Sequence, residues 1–236
     1  MNEMHQIPKI IHYCWFGNNK KPKLAKKCIA SWKRYCPDYK IIEWNENNFD
    51  ISYNDYTKFC YQNRKYAFLS DYVRLLMVEK YGGIYFDTDV EVIKPLNELL
   101  VSEAFFGFEN DLFIATGLGF GAIPHHCTVQ RMIKVYDDLF GDDHNLMPCP
   151  QLNTEALVPL GLMKNGKTQK IAGAKIYSKE YFNPYDDPTG RLVKTKNTFS
   201  IHWYSKSWMS GMAILRSRLT KPFHRMFGVD CFRWIR

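Results

Sequence analysis

Two aspartates, Asp87 and Asp89, stand one residue apart where the apolar run Ile84-Tyr85-Phe86 breaks off in the segment KYGGIYFDTDVEV. On an extended chain, residues i and i+2 project to the same side, so this spacing predicts two like charges held together. They repel unless a cation or positive group lies between them; without one, the pKa of one acid must rise. A hard divalent ion such as Mg²⁺ or Mn²⁺ resolves the conflict, because it takes oxygen ligands and keeps open positions for a substrate's phosphates. The same acids could instead cap backbone amides in a turn.

The elements around the pair predict how it is positioned. FLSDYVRLLMVEKYGG reads as a helix: Leu69, Tyr72, Val73, Leu76, Met77 and Lys80 follow helical spacing, Ser70 is a candidate cap, and Gly82-Gly83 ends the run. On that helix Asp71 and Arg74 are i and i+3 and share a face. Upstream, PKIIHYCWFG predicts a strand that starts after Pro8 and stops at Gly17. KPKLAKKCIASWKRYC predicts a helix with Leu24, Cys28, Ile29 and Trp32 on one face, and YKIIEWN a second strand. Strand, helix, strand implies an α/β fold with a parallel or mixed sheet, in which ligands bind at the C-terminal ends of the strands. AFFGFEN and LGFGAIP suggest further strands or glycine-rich connections, CTVQRMIKVYDDLF a helix, and TFSI a late strand, whereas residues 141–190 carry only weak patterns.

With 236 residues, 46% of them hydrophobic, the chain can bury the core of one domain, which excludes disorder and fibrous repeats. It contains no apolar run of about 20 residues, and MNEMHQIPKIIHYC lacks the features of a secretory signal, so a cytosolic, non-spanning protein is expected. Seven scattered cysteines without a CxxC pair fit reduced thiols. The net charge of +8 is local, in NNKKPKLAKKCIASWKRYC and in the tail RSRLTKPFHRMFGVDCFRWIR, where Asp230 is the lone acid. The first cluster reads as a solvated helix face. The tail interleaves Phe223, Met226, Phe227, Phe232, Trp234 and Ile235 with its arginines, so both a packed helix and an interfacial membrane contact are open. A non-catalytic basic protein that grips a membrane surface is the rival from another class; nothing resembles a nucleic-acid module.

Two chemistries use an Asp-x-Asp at a strand end. In phosphatases of the haloacid-dehalogenase type the first aspartate is a nucleophile and the fifth position is Thr or Val. Here the fifth position is Glu91 and the motif lies far from the N-terminus, which weighs against that hydrolase reading. In nucleotide-sugar glycosyltransferases of the GT-A type the pair binds a metal on the donor diphosphate. IPKIIHYCWFG, AFLSDYVRLLMVEKYGGIYFDTDVEV and HWYSKSW together resemble glycosyltransferase family 32, the group bearing the DXD sugar-binding motif. That group includes bacterial capsular polysaccharide synthesis enzymes and is similar in core to the large clostridial glucosylating toxins. The first two blocks span most of Ile7 to Leu100.

The resemblance implies a GT-A fold, a Rossmann-like mixed sheet flanked by helices, built as a single domain over residues 1–236. Residues 1–100 would form the nucleotide-sugar half and 101–210 the acceptor side and the completion of the metal site. Residues 211–236 would be a basic, aromatic C-terminal segment. It further implies a nucleotide-sugar donor (a UDP-sugar), Mn²⁺ or Mg²⁺, retention at the anomeric carbon, and a glycan or lipid-linked saccharide acceptor in surface or capsular polysaccharide synthesis; the basic, aromatic tail of a cytosolic transferase adds the expectation of a peripheral place on the inner face of the cell membrane.

Carried over by position, Trp15 is expected to stack on the nucleobase. Asp71 and Arg74 would hold the donor sugar hydroxyls and the phosphate side, Asp87 the ribose and sugar, and Asp89 the metal, these four forming the catalytic set. His202 is expected as a further metal ligand, where the toxins carry a glutamate; imidazole beside a carboxylate suits Mn²⁺. Ser205, Ser207 and Trp208 are expected at the diphosphate, with Asn153 and Thr154 on the acceptor side. Gly117, Gly119 and Gly121 could let a backbone approach the donor sugar or acceptor.

Overall fold

The computed structural model describes residues 6–139, 146–205 and 211–231. In chain order its elements are β1 (Ile10–Cys14), α1 (Lys23–Tyr35), β2 (Lys40–Trp44), α2 (Asp55–Gln62), α3 (Tyr66–Tyr81), β3 (Gly83–Tyr85) and β4 (Val90–Val92). There follow β5 (Ala104–Gly107), β6 (Phe120–Ala122), α4 (Cys127–Leu139), α5 (Cys149–Leu157), β7 (Gln169–Ile171), β8 (Ala174–Tyr177), β9 (Tyr185–Asp186), β10 (Arg191–Leu192), β11 (Ser200–His202) and α6 (Gly211–Phe227).

A seven-stranded sheet of order β2-β1-β3-β6-β5-β8-β7 forms the centre. The expected strand-helix-strand unit is there, with β1 parallel to both β2 and β3. β6 runs antiparallel to its neighbours β3 and β5, and β5 is parallel to β8. The sheet is therefore mixed, and β1, β2, β3, β5 and β8 all point their C-terminal ends at one edge. Strands from both halves of the chain share this sheet.

One face is covered by α2 to α5, whose Tyr56, Leu69, Val73, Met132 and Leu157 belong to one apolar cluster. The other is covered by α1 and by a two-stranded sheet of β4 and β11, in a cluster with Trp32, Phe86 and Val90. There Trp32 donates its Nε1–H to Val90 O at 2.8 Å and stacks on Phe86 with centroids 5.8 Å apart. Phe86 is fully buried, and a side chain of that size contributes about 1.5–3 kcal/mol when taken out of water. It anchors the chain immediately before Asp87.

α3 begins two residues before the expected run, with Lys65 as its cap residue; Ser70 lies inside the helix and caps nothing. It is buried on nearly every side from Tyr72 to Val78, because sheet and helices enclose it. Gly82 and Gly83 have φ of +63° and +103°, which lets the chain reverse from helix into strand; a Cβ on Gly83 would stand 2.8 Å from Ile10 O.

Candidate active site

Beyond β3 the backbone does not continue as the extended strand implied by the i, i+2 argument. Phe86 N donates to His12 O at 3.1 Å, then the chain turns, with Val90 N donating to Asp87 O at 3.0 Å. The two acids converge across this turn. β4 starts a separate small sheet, paired antiparallel with β11 so that His202 stands across from Val90 and Ile201 across from Glu91.

That pairing assembles the candidate site. Ligand atoms of Asp87, Asp89 and His202 lie within 4.8 Å of one another. His202 Nε2 is 3.2 Å from Asp89 Oδ1, and Ser205 N–H donates to Asp89 Oδ2 at 2.6 Å. Two hard carboxylate oxygens and an imidazole form a donor set that suits Mn²⁺ or Mg²⁺. His202 Nδ1 is buried with no hydrogen-bond partner, so no second contact fixes the ring's tautomer. Burial alone would raise the Asp89 pKa, but the imidazole of His202 and the Ser205 N–H outweigh it and hold the carboxyl well below the usual range. Burial alone would lower the His202 pKa; its contact with Asp89 carries it above the usual value instead. A cation bound here would compete with the His202–Asp89 contact.

Behind Asp87 stands Arg74. Its Nη2 is 3.0 Å from Asp87 Oδ1 and 2.5 Å from Asp71 Oδ1, and its side chain is only 3% exposed. Asp87 Oδ1 also accepts the Tyr85 hydroxyl at 3.0 Å. One guanidinium thus serves two acids. Burial, reinforced by Asp87 and only partly opposed by Arg74, pushes the Asp71 pKa up to about 7. Burial likewise raises Asp87, with Asp89 adding to the rise and Arg74 opposing it. The loop at Thr116-Gly117 closes this corner: Gly117 O accepts from Asp87 N at 3.2 Å, and a Cβ on Gly117 would collide with Asp87 Oδ2. Of the three glycines in that loop, this is the one that lets backbone approach the acids.

The other expected residues fall as follows. Trp15 leaves β1 at the same sheet edge, partly buried, with its Nε1–H donated to Asn19 O at 2.7 Å and Lys21 Nζ 5.5 Å from its ring centre. Ser205 touches Asp89; Ser207 and Trp208 lie outside the described residues. Asn153 and Thr154, expected to meet the acceptor, are instead fully buried on α5. The Thr154 hydroxyl is engaged with Pro150 O and Ile114 N, and Asn153 donates to Thr116 Oγ1 at 2.9 Å, the hydroxyl that also takes Arg74 Nη1 at 3.3 Å. They brace the donor corner from behind because α5 packs its polar face inward. Glu91, without a role in the sequence, accepts Trp203 Nε1 at 2.8 Å and Lys27 Nζ at 2.7 Å, tying α1 to β11. Glu109, which the sequence reading did not single out, takes the hydroxyl of Tyr204, whose ring meets that of His202.

Residues 22–106, which hold Asp71, Arg74, Asp87 and Asp89, match the family model described as the glycosyltransferase sugar-binding region containing the DXD motif. Residues 22–106 thus resemble the sugar-binding region of the DXD glycosyltransferases, and the mixed α/β core is similar in fold to GT-A glycosyltransferases. It is 30% identical over 128 residues to inositol phosphoceramide mannosyltransferase 1 of Schizosaccharomyces pombe, a match covering 48% of this chain and 40% of that protein. It is 35% identical over 106 residues to inositol phosphoceramide mannosyltransferase 3 of the same yeast, covering 42% and 29%. The chain thus spans well under half the length of these relatives. In fold it is similar to the PaToxG glycosyltransferase, with a TM-score of 0.52 at 17% identity over 65% of this chain and 69% of that one.

Proposed function

We propose that this chain is a metal-dependent, retaining glycosyltransferase that moves a sugar from a nucleotide-sugar donor, a UDP-sugar, to a glycan or lipid-linked saccharide in surface polysaccharide assembly. The observation that carries the reading is the meeting of Asp87, Asp89 and His202 in front of the Arg74-braced acids at the C-terminal edge of the sheet. In open α/β folds that edge is where nucleotide ligands lie.

Asp89 and His202 would hold the divalent ion, with Asp87 beside it, and Ser205 would lie next to the diphosphate. Bound there, the ion offsets negative charge that builds on the diphosphate as the glycosidic bond breaks. Asp71 and Asp87, fixed by Arg74, present acceptor oxygens to donor hydroxyls and so limit the orientations of the sugar. Trp15 offers a partly open indole face to a base. Retention is carried over from the family resemblance.

The mannosyl transfer named for the yeast relatives brings GDP-mannose into the set of donors to examine, and their phosphoceramide acceptors fit a saccharide presented at a membrane. α6 supports such a location. Lys221 Nζ reaches Tyr185 Oη at 2.7 Å and Asp187 Oδ1 at 3.0 Å, and Arg191 Nη2 reaches Arg225 O at 3.4 Å, so the helix is moored on the β9–β10 hairpin. Met212, Leu215, Leu219, Met226 and Phe227 repeat along the face opposite Lys221 and are exposed. α6 contains no Asp or Glu, so its charge suits an anionic leaflet. Among the described residues no helix is long and apolar enough to cross a membrane.

The test is turnover of a panel of UDP- and GDP-sugars with Mn²⁺, with Mg²⁺ and with EDTA. Metal-dependent release of nucleoside diphosphate from one donor is expected. Binding of anionic vesicles with no turnover of any donor would replace this reading with that of a non-catalytic membrane-surface protein.

A further inference from the structure

We propose that Glu109 is the acceptor-binding carboxylate of this site, taking a hydrogen bond from the acceptor saccharide. The inference rests on the transferase reading above and deepens it on the acceptor side. β3 and β5 flank β6 and both run antiparallel to it, so their C-terminal ends meet the same sheet edge. Glu109 follows β5 by two residues, just as Asp87 follows β3 by two. Its backbone is held on both sides, Glu109 N donating to Phe113 O at 2.8 Å and Asn183 Nδ2 donating to Glu109 O at 2.9 Å.

Its side chain adjoins the metal-facing residues through Tyr204. The Tyr204 hydroxyl donates to Glu109 Oε1 at 3.3 Å, and the Tyr204 ring lies 4.0 Å, centroid to centroid, from the ring of His202. Tyr204 has φ of +50°, a left-handed conformation that strains a bulky residue. Asn183 Nδ2, 2.7 Å from the Tyr204 hydroxyl, secures the ring in that place.

Among the described residues, the neighbouring acids of this corner have salt-bridge partners. Asp71 and Asp87 share Arg74, Asp89 pairs with His202, and Glu91 pairs with Lys27. Glu109 is partly buried; among the described residues no salt bridge reaches its carboxylate, Tyr204 is the one hydrogen-bond donor to it, and the imidazole of His202 acts on it only at longer range. Burial raises its pKa. Its second carboxylate oxygen has no protein donor among the described residues and is open to a hydroxyl of a bound molecule in place of water. The diphosphate would be repelled there, whereas the O–H groups of a neutral saccharide are the donors such an oxygen accepts. Glu109 does not belong to the 4.8 Å cluster of Asp87, Asp89 and His202 but adjoins it through Tyr204.

Glu109→Gln keeps the shape and the contact with Tyr204. Wild type, Glu109→Gln and Glu109→Ala are compared for hydrolysis of the nucleotide sugar that the wild type turns over, and for transfer to octyl glucoside, galactoside and mannoside as hydroxyl probes. The expected result is a rise of at least about tenfold in the glycoside KM for both variants. The donor KM and hydrolysis in water should stay within about twofold of wild type. Transfer unchanged in both variants, or hydrolysis and transfer falling together, overturns the inference. Failure of the transferase reading shows separately, as a wild type that turns over no donor.

Discussion

Arg74 Nη2 lies 3.0 Å from Asp87 Oδ1, so a buried arginine in the middle of α3 fixes the first acid of the DXD motif. Asp71, on the same helix face, completes a two-acid, one-base triad. An arginine so enclosed cannot be removed without leaving two acids unpaired in a low-dielectric corner. Arg74→Ala is therefore expected to destabilise the fold by about 3–5 kcal/mol and to abolish donor turnover, read by urea denaturation and by nucleotide release.

Gly117→Ala places a methyl group against Asp87 Oδ2 and 3.1 Å from Arg74 Nη1. The aspartate must give way, because the other neighbour is a pinned guanidinium. Donor turnover should fall by at least about tenfold, with a far smaller change in Tm than Arg74→Ala produces.

Asp89→Ala removes both the partner of His202 and the acceptor of the Ser205 N–H. Mn²⁺ binding measured by calorimetry should be lost, and donor turnover should fall by at least about a hundredfold, the scale of losing a main electrostatic contact in a reacting site. Normal turnover in this variant, insensitive to EDTA, contradicts the metal assignment.

Asp71 titrates near 7 in the fold against 3.8 when free. Between those values the folded chain holds a proton that the unfolded chain has released, so this residue's contribution to stability is full below 3.8 and is lost as pH rises through about 7. Asp71→Asn cannot ionise, so its Tm relative to wild type should climb from pH 4 to about pH 7 and level off above that. A constant difference across that range argues against the raised value.

Leu219 is 63% exposed on the outward stripe of α6, and Leu215 is next to it one turn away. Leu215→Glu with Leu219→Glu should weaken binding to phosphatidylserine vesicles at least about tenfold in sedimentation assays, while turnover of the soluble donor stays unchanged. Equal vesicle binding by both proteins excludes α6 as the membrane contact.

Local pattern made much of this molecule legible. The spacing of Leu24, Cys28 and Trp32, and the glycine pair after α3, state their structures directly, because helical period and the freedom of glycine are properties of short segments. That Asp87 and Asp89 lie close together was legible, though a turn, and not an extended strand, brings the two acids together. Ser70 misled because a cap-forming residue type occurs inside helices as well. Asn153 and Thr154 were expected on the acceptor side from the family resemblance, whereas α5 buries both side chains as internal braces. Glu109 could have been noticed as an acid two residues past an apolar strand, the same signal that exposed Asp87.

By itself, the sequence determined which side chains could bind a metal and a sugar, and which strands would end beside them. Tertiary structure decided that His202 meets Asp89, 113 positions earlier, through the β4–β11 pairing, and that Arg74 has two acids to hold. The division is physical: residue type and short period are local, whereas strand pairing and the partner of a buried charge depend on which distant segments the core brings into contact.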